Sequence, residues 1–128
     1  MEKSIVRQDS ETEVVEIIGK NCKRILATTC PNIRKILVFY MYIESLWLRV
    51  FLDSNVLFID VCNGPDPDDD LEEGAEYLDI SKQYELTNQK ITIASMKDGK
   101  FRLGFESGIE LLFQQINDDT ILSLSTPP

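Results

Sequence analysis

From Lys23 onward, apolar residues recur at every second position, in short runs separated by turn-forming residues. A helix needs a period near 3.6, so this alternation commits most of the chain to half-buried strands. Residues 23–28 alternate, Cys30-Pro31-Asn32 marks a turn, and 33–43 is apolar on both faces, as in a central strand. Glu44-Ser45 interrupts, and 46–52 follows with Trp47, Arg49 and Phe51 on one face and Leu48, Val50 and Leu52 on the other. After Asp53-Ser54-Asn55 the chain returns as 56–61. Four more runs, 90–96, 101–105, 109–115 and 121–125, are divided by Asp98-Gly99, Ser107-Gly108 and Asn117-Asp118-Asp119. Asp98-Gly99 is the strongest hairpin signal of the set. Consecutive strands joined by tight turns pair antiparallel.

The two halves echo one another. Residues 48–58 carry an apolar–Arg strand, an Asp-Ser turn and a returning Leu57-Phe58; residues 101–113 carry Arg102, a Glu106-Ser107 turn and a returning Leu112-Phe113. The expected fold is mainly β (α+β): two antiparallel meanders forming a β-sandwich or barrel, with one short N-terminal helix. That helix rests on Ser10-Glu11-Thr12-Glu13, which has capping-box form, followed by Val14, Val15, Ile17 and Ile18 at helical spacing and Gly19 as a stop. At 128 residues the chain is expected to be a single domain, 1–128, with a flexible N-terminus at 1–9. The alternation assigns Trp47, Tyr40 and Phe113 to core packing, and Cys22 and Cys62, set among apolar neighbours, to the core as small thiols.

Net charge is −9, and one stretch supplies all of it. Between Val50 and Ser81 stand ten acids and no Lys or Arg, leaving 12 acids against 13 bases elsewhere. Residues 63–76 are expected to form an acidic crossover loop between the β halves, opened by Asn63-Gly64-Pro65 and anchored at its far end by Tyr77, Leu78 and Ile80. Such a block repels phosphate backbones and anionic lipid, which argues against nucleic acid or membrane as ligands. It attracts a basic partner. The bland alternative is a solvated linker.

Other chemistries lack their residues. There is no histidine, hence no imidazole base or ligand. Three cysteines, Cys22, Cys30 and Cys62, form no C-x-x-C pair and no even disulfide set, and no metal or cofactor is expected. The run from Asp66 to Gly74 misses the EF-hand pattern, with Leu71 where the turn glycine belongs. Residues 1–9 lack the apolar core of a signal peptide, and the longest apolar run, 36–43, has eight residues where a membrane span needs about 20. A cytoplasmic location is expected.

The pieces Ile18-Gly19-Lys20, Ile25-Leu26, 48–53 with Leu57-Phe58-Ile59, and 100–108 with Leu111-Leu112-Phe113 together resemble the small bacterial immunity proteins of contact-dependent growth inhibition and polymorphic-toxin systems. The resemblance spans residues 18–125; in its first strand pair Asn55 stands where glycine is usual. It implies a non-enzymatic cytoplasmic protein that binds one toxin domain, often a basic nuclease, and covers its active or substrate-binding surface. The expected partner-binding residues are Asp66, Asp68, Asp69, Asp70, Glu72, Glu73 and Glu76. Two other readings compete: an acidic cytosolic secretion chaperone, which would alternate helices with strands, and a carboxylate-based phosphoesterase, which has no positioning motif here. Oligomeric state is not legible.

Overall fold

The computed structural model describes residues 4–7, 12–14, 16–30, 35–53, 56–65, 76–97, 99–116 and 119–125. The eight strands read from the alternation are all present. The first meander is β3 (Asn21–Cys30), β4 (Lys35–Ile43), β5 (Leu46–Asp53) and β6 (Val56–Cys62), each antiparallel to the next. The second is β8 (Gln89–Lys97), β9 (Lys100–Phe105), β10 (Glu110–Ile116) and β11 (Asp119–Ser125), likewise antiparallel. Two short ladders join them: β4 to β11 at Ile36–Thr120, and β3 to β8 at Asn21–Lys90 and Cys22–Gln89. The protein is mainly β and antiparallel, with eleven strands in one hydrogen-bonded sheet among the described residues.

Three elements depart from the expectation. Among the described residues of 10–19 there is no helix. Instead β2 (Thr12–Glu13) pairs with Met96 and Ser95 of β8, and the Val14 N–H donates to Ala94 O. Residues 16–19 are a turn, tied to the sheet by the Gly19 N–H on Ile91 O. The stripe of Val14, Ile17 and Ile18 is β-branched, which weakens a helix and suits an extended edge. Ser10 and Glu11, half of the supposed capping box, lie outside the described residues. The expected flexible N-terminus contains β1 (Ser4–Arg7), paired with residues 57–60 of β6. Beyond the crossover, β7 (Glu76–Asp79) adds to β3, and the helix that exists follows it: α1 (Ile80–Gln83), capped by Asp79.

Backbone groups explain two irregularities in the long β3–β4 ladder. Lys23 is bulged out between Cys22 and Arg24, which puts its ammonium 5.5 Å from the centre of the Tyr42 ring. At the second bulge the Thr28 hydroxyl enters the ladder, donating to Val38 O and accepting from Val38 N–H, each at 3.1 Å.

A single apolar core draws on both meanders. Ile25, Ala27, Phe39, Met41, Val50 and Ile59 from the first meet Ile91, Met96, Phe101, Leu103, Leu111 and Phe113 from the second. At its centre Phe39 stacks on Phe113, with ring centroids 4.1 Å apart and planes within 9°. Phe101, the cross-strand partner of Phe113, completes the cluster at 6.3 Å from each. The core admits no extra volume at Gly104, where an added Cβ would stand 2.9 Å from Ile93 Cβ. Chemical denaturation should therefore show Phe113→Ala less stable by about 3–5 kcal/mol, through cavity formation, and Gly104→Ala less stable by about 1–3 kcal/mol, through overpacking.

Candidate functional site

Alternation gives the first meander two faces with different contents. Inward go Phe39, Met41, Leu48, Val50, Leu57 and Ile59, all buried. Outward go the residues between them, and the strand registers line these up in rows. One row runs Asp79, Leu26, Tyr40, Arg49, Asp60 across β7, β3, β4, β5 and β6. A second runs Arg24, Tyr42, Trp47, Cys62. A third places Phe51 opposite Phe58 and Tyr77 opposite Thr28.

Aromatic contacts bind the rows together. Tyr42 stacks on Trp47 at 4.8 Å, Phe51 on Phe58 at 4.9 Å, and Tyr77 meets Tyr40 edge-on at 6.4 Å. All of these except Tyr40 are half-buried, presenting ring surface to solvent. Tyr40 is only 2% exposed although it lies on the outward face. Trp47 and Cys62 belong to this half-buried face and not to the core; the error comes from treating both faces of an apolar sheet as interior. Phe113 and Cys22 are core residues as expected.

Two cation–carboxylate pairs stand among the rings. Arg49 Nη2 donates to Asp60 Oδ2 at 3.2 Å, and this hydrogen bond holds the guanidinium pKa above its ordinary value. The Arg49 Nε is buried and has no hydrogen-bond partner among the described residues. Arg24 Nη2 reaches Asp79 Oδ2 at 3.3 Å. Burial pushes the Asp79 carboxyl up, but the Ser81 hydroxyl at 2.6 Å, the Lys82 N–H at 2.9 Å and Arg24 together outweigh it and hold the pKa below its ordinary value.

The acidic crossover leaves and rejoins the sheet at this face. It departs after Cys62, where a Cβ on Gly64 would lie 3.9 Å from the Trp47 indole, and returns at Glu76, opposite Thr29. Of the expected partner-binding residues, Glu76 is placed, exposed at the start of β7. Asp66, Asp68, Asp69, Asp70, Glu72 and Glu73 lie outside the described residues. Sequence reasoning missed the face itself, although Trp47, Arg49 and Phe51 had been read as one side of a strand. The signal available was Asp60 and Cys62, polar residues on the matching side of the next strand.

Among the described residues no group of three or more Cys, Asp and Glu side chains could hold a metal ion, and no helix is long and apolar enough to cross a membrane. What the face offers chemically is aromatic area and paired charge. Comparison with protein-family models, with curated proteins and with solved structures returned no match.

Two measurements test these assignments. Asp79, with its pKa depressed in the folded state, contributes stability that is complete above the ordinary value of 3.8 and lost as pH falls through the folded value. The stability gap between wild type and Asp79→Asn, which keeps a cap acceptor, should therefore be widest near neutrality and narrow below about pH 4. Cys22 is fully buried, its thiol 3.6 Å from Arg24 O and its pKa pushed up to about 12 by burial. Mass spectrometry after alkylation at neutral pH should find Cys22 unmodified in the native protein and modified in denaturant.

Proposed function

We propose that this chain is an immunity protein of a contact-dependent growth inhibition or polymorphic-toxin system, which binds its cognate toxin domain and covers that domain's active or substrate-binding surface. The observation that carries the reading is one of placement. The stretch holding the chain's whole negative excess is tied at both ends to a sheet face rich in tyrosine, tryptophan and arginine. Those three residue types dominate binding hot spots when a partner desolvates them. A neighbouring block of carboxylates adds attraction and orientation for a basic partner such as a nuclease.

Asp66, Asp68, Asp69, Asp70, Glu72, Glu73 and Glu76 would supply the charge, and Tyr42, Trp47, Arg49 and Phe58 the buried contacts. Inhibition of this kind requires no catalytic group, cofactor, nucleic acid or lipid, and it acts in the cytoplasm, where such a toxin arrives. The finer architecture we take to be sandwich-like. Phe39 of the first meander stacked on Phe113 of the second supports two layers facing one another across the core. The secretion-chaperone alternative would draw its helices from a chain with one four-residue helix among the described residues.

Co-expression tests the proposal. A candidate toxin domain, sought in the gene immediately upstream, should arrest growth of a host strain when produced there, and this chain should restore it; continued arrest, with both proteins soluble, would sink the idea. In stopped-flow measurements with that domain, neutralising Asp68, Asp69, Asp70, Glu72 and Glu73 to Asn and Gln together should slow association at low salt by roughly 10-fold or more and flatten its salt dependence. Trp47→Ala should instead act on dissociation, weakening the complex by about 2 kcal/mol or more.

A further inference from the structure

The edges of the sheet are not alike. β1, β2 and β7 each pair on one side, and each is short and carries charge: Arg7 in the four residues of β1, Glu13 in the two of β2, Glu76 and Asp79 in the four of β7. Short, charged edges resist the addition of a further strand. β11 has an edge of another kind. It pairs with β10 along all seven residues in unbroken register, but its other side meets β4 at Thr120 alone. From Ile121 to Ser125 that side has no ladder partner among the described residues, and these five residues include no charge, proline or glycine.

The side chains along this edge lack a neighbour in the same place. Leu122 stands opposite Phe113 and Leu124 opposite Leu111, both fully buried, so the two leucines point to the core side of the sheet. Leu122 packs against the core, but Leu124 is 38% exposed although the residue it faces is buried. A strand beside β11 would cover it. Ile36 already takes position 120, which confines an incoming strand to 121–125, a window centred on Ser123. A strand from a second copy, antiparallel about Ser123, sets Leu122 opposite Leu124 of the other copy and Ile121 opposite its Ser125. The two-fold axis makes each of these pairs twice.

We propose that β11 pairs with β11 of a second copy of this chain across a two-fold axis, so that the antiparallel sheet runs through a homodimer. The segment is its own complement: leucine meets leucine and serine meets serine in the register that β4 permits. Charge points to the same occupant. A chain at −9 repels its copy as a whole, and 121–125 is an edge without charge along which two copies can approach. That neutrality gives a basic partner no attraction there, unlike the acidic stretch at 63–76. The rows of the aromatic face run over β3 to β7, so the pairing uses a strand that is not part of them.

Sedimentation equilibrium of the full chain, between about 1 µM and about 1 mM, should show the mean mass rising from one chain toward two. Hydrogen exchange should be slower in the concentrated sample than in the dilute one for the peptide spanning 121–125. Ser123 is exposed, so substitution there keeps the fold, which circular dichroism checks. Ser123→Glu and Ser123→Lys each set like charges opposite one another at the axis, and each should weaken self-association by about fivefold or more. Ser123→Lys also lowers the net negative charge, so a dimer formed through another surface would tighten in that variant. An equimolar mixture of the two variants sets opposite charges at the axis and should associate more tightly than either variant alone. A chain that stays monomeric to about 1 mM, self-association unchanged in both variants or tightened in Ser123→Lys, slowed exchange only outside 121–125, or a mixture no tighter than its components would each overturn the proposal. None of these readouts involves a toxin, so the dimer and the immunity reading stand or fall separately.

Discussion

Strands β3 and β4 have to satisfy more neighbours than a strand in a simple meander, and the rest of the architecture follows from how they do it. Each gives one edge to the other over nearly its full length. The remaining edge is then divided lengthwise. On β3, residues 21–22 pair with β8 and residues 26–29 with β7; on β4, residues 39–43 pair with β5 and Ile36 with β11. Buried backbone N–H and C=O groups must find partners, so a long strand in an apolar setting recruits whatever strand lies beside each part of it. This sharing holds the two meanders in one ladder and brings Phe39 over Phe113. The bulges at Lys23 and Thr28–Thr29 fall within the same hairpin, where the twist has to change between one neighbour and the next.

Much of this was legible in the sequence because alternation and turn chemistry are local. The eight runs translate directly into β3–β6 and β8–β11. What was not legible depends on partners distant in sequence. Ser4–Arg7 has no strand signal of its own and becomes a strand because the edge of β6 is available to it. Val14–Ile18 carries helical spacing, but Val14 finds Ala94 and Gly19 finds Ile91, and those tertiary bonds override spacing in a β-branched segment. Asp79 was counted as one more acid of the excess; in place it caps α1 and pairs with Arg24, so it belongs to the scaffold and not to a diffuse negative field.

The internal echo acquires a physical content that composition did not reveal. Arg49 and Arg102 hold equivalent places in the two halves, and each is paired with a carboxylate of the returning strand, Asp60 at 3.2 Å and Glu110 at 2.8 Å. Both guanidinium side chains are about half exposed, so each pair adds on the order of 0.2–1 kcal/mol. The similarity ends there. Arg49 differs in its setting: it lies between Tyr40 and Asp60, and its Nε is buried with no hydrogen-bond partner among the described residues. In the first half the pair stands within an aromatic face.

That difference bears on how binding energy would be distributed over the molecule. Exposed carboxylates act at distances comparable to the Debye length, about 8 Å at physiological salt, and so govern encounter more than persistence. Persistence comes from groups that lose water on contact: rings already stacked in pairs, which surrender little conformational entropy on contact, and a guanidinium donor with no hydrogen-bond partner among the described residues. The aromatic face meets both conditions, and the ends of the acidic stretch fasten to it at Cys62 and Glu76. In the proposed role, anchoring would fall to this sheet surface, where the ends of the acidic stretch join it, while the opposite surface is consumed by the core.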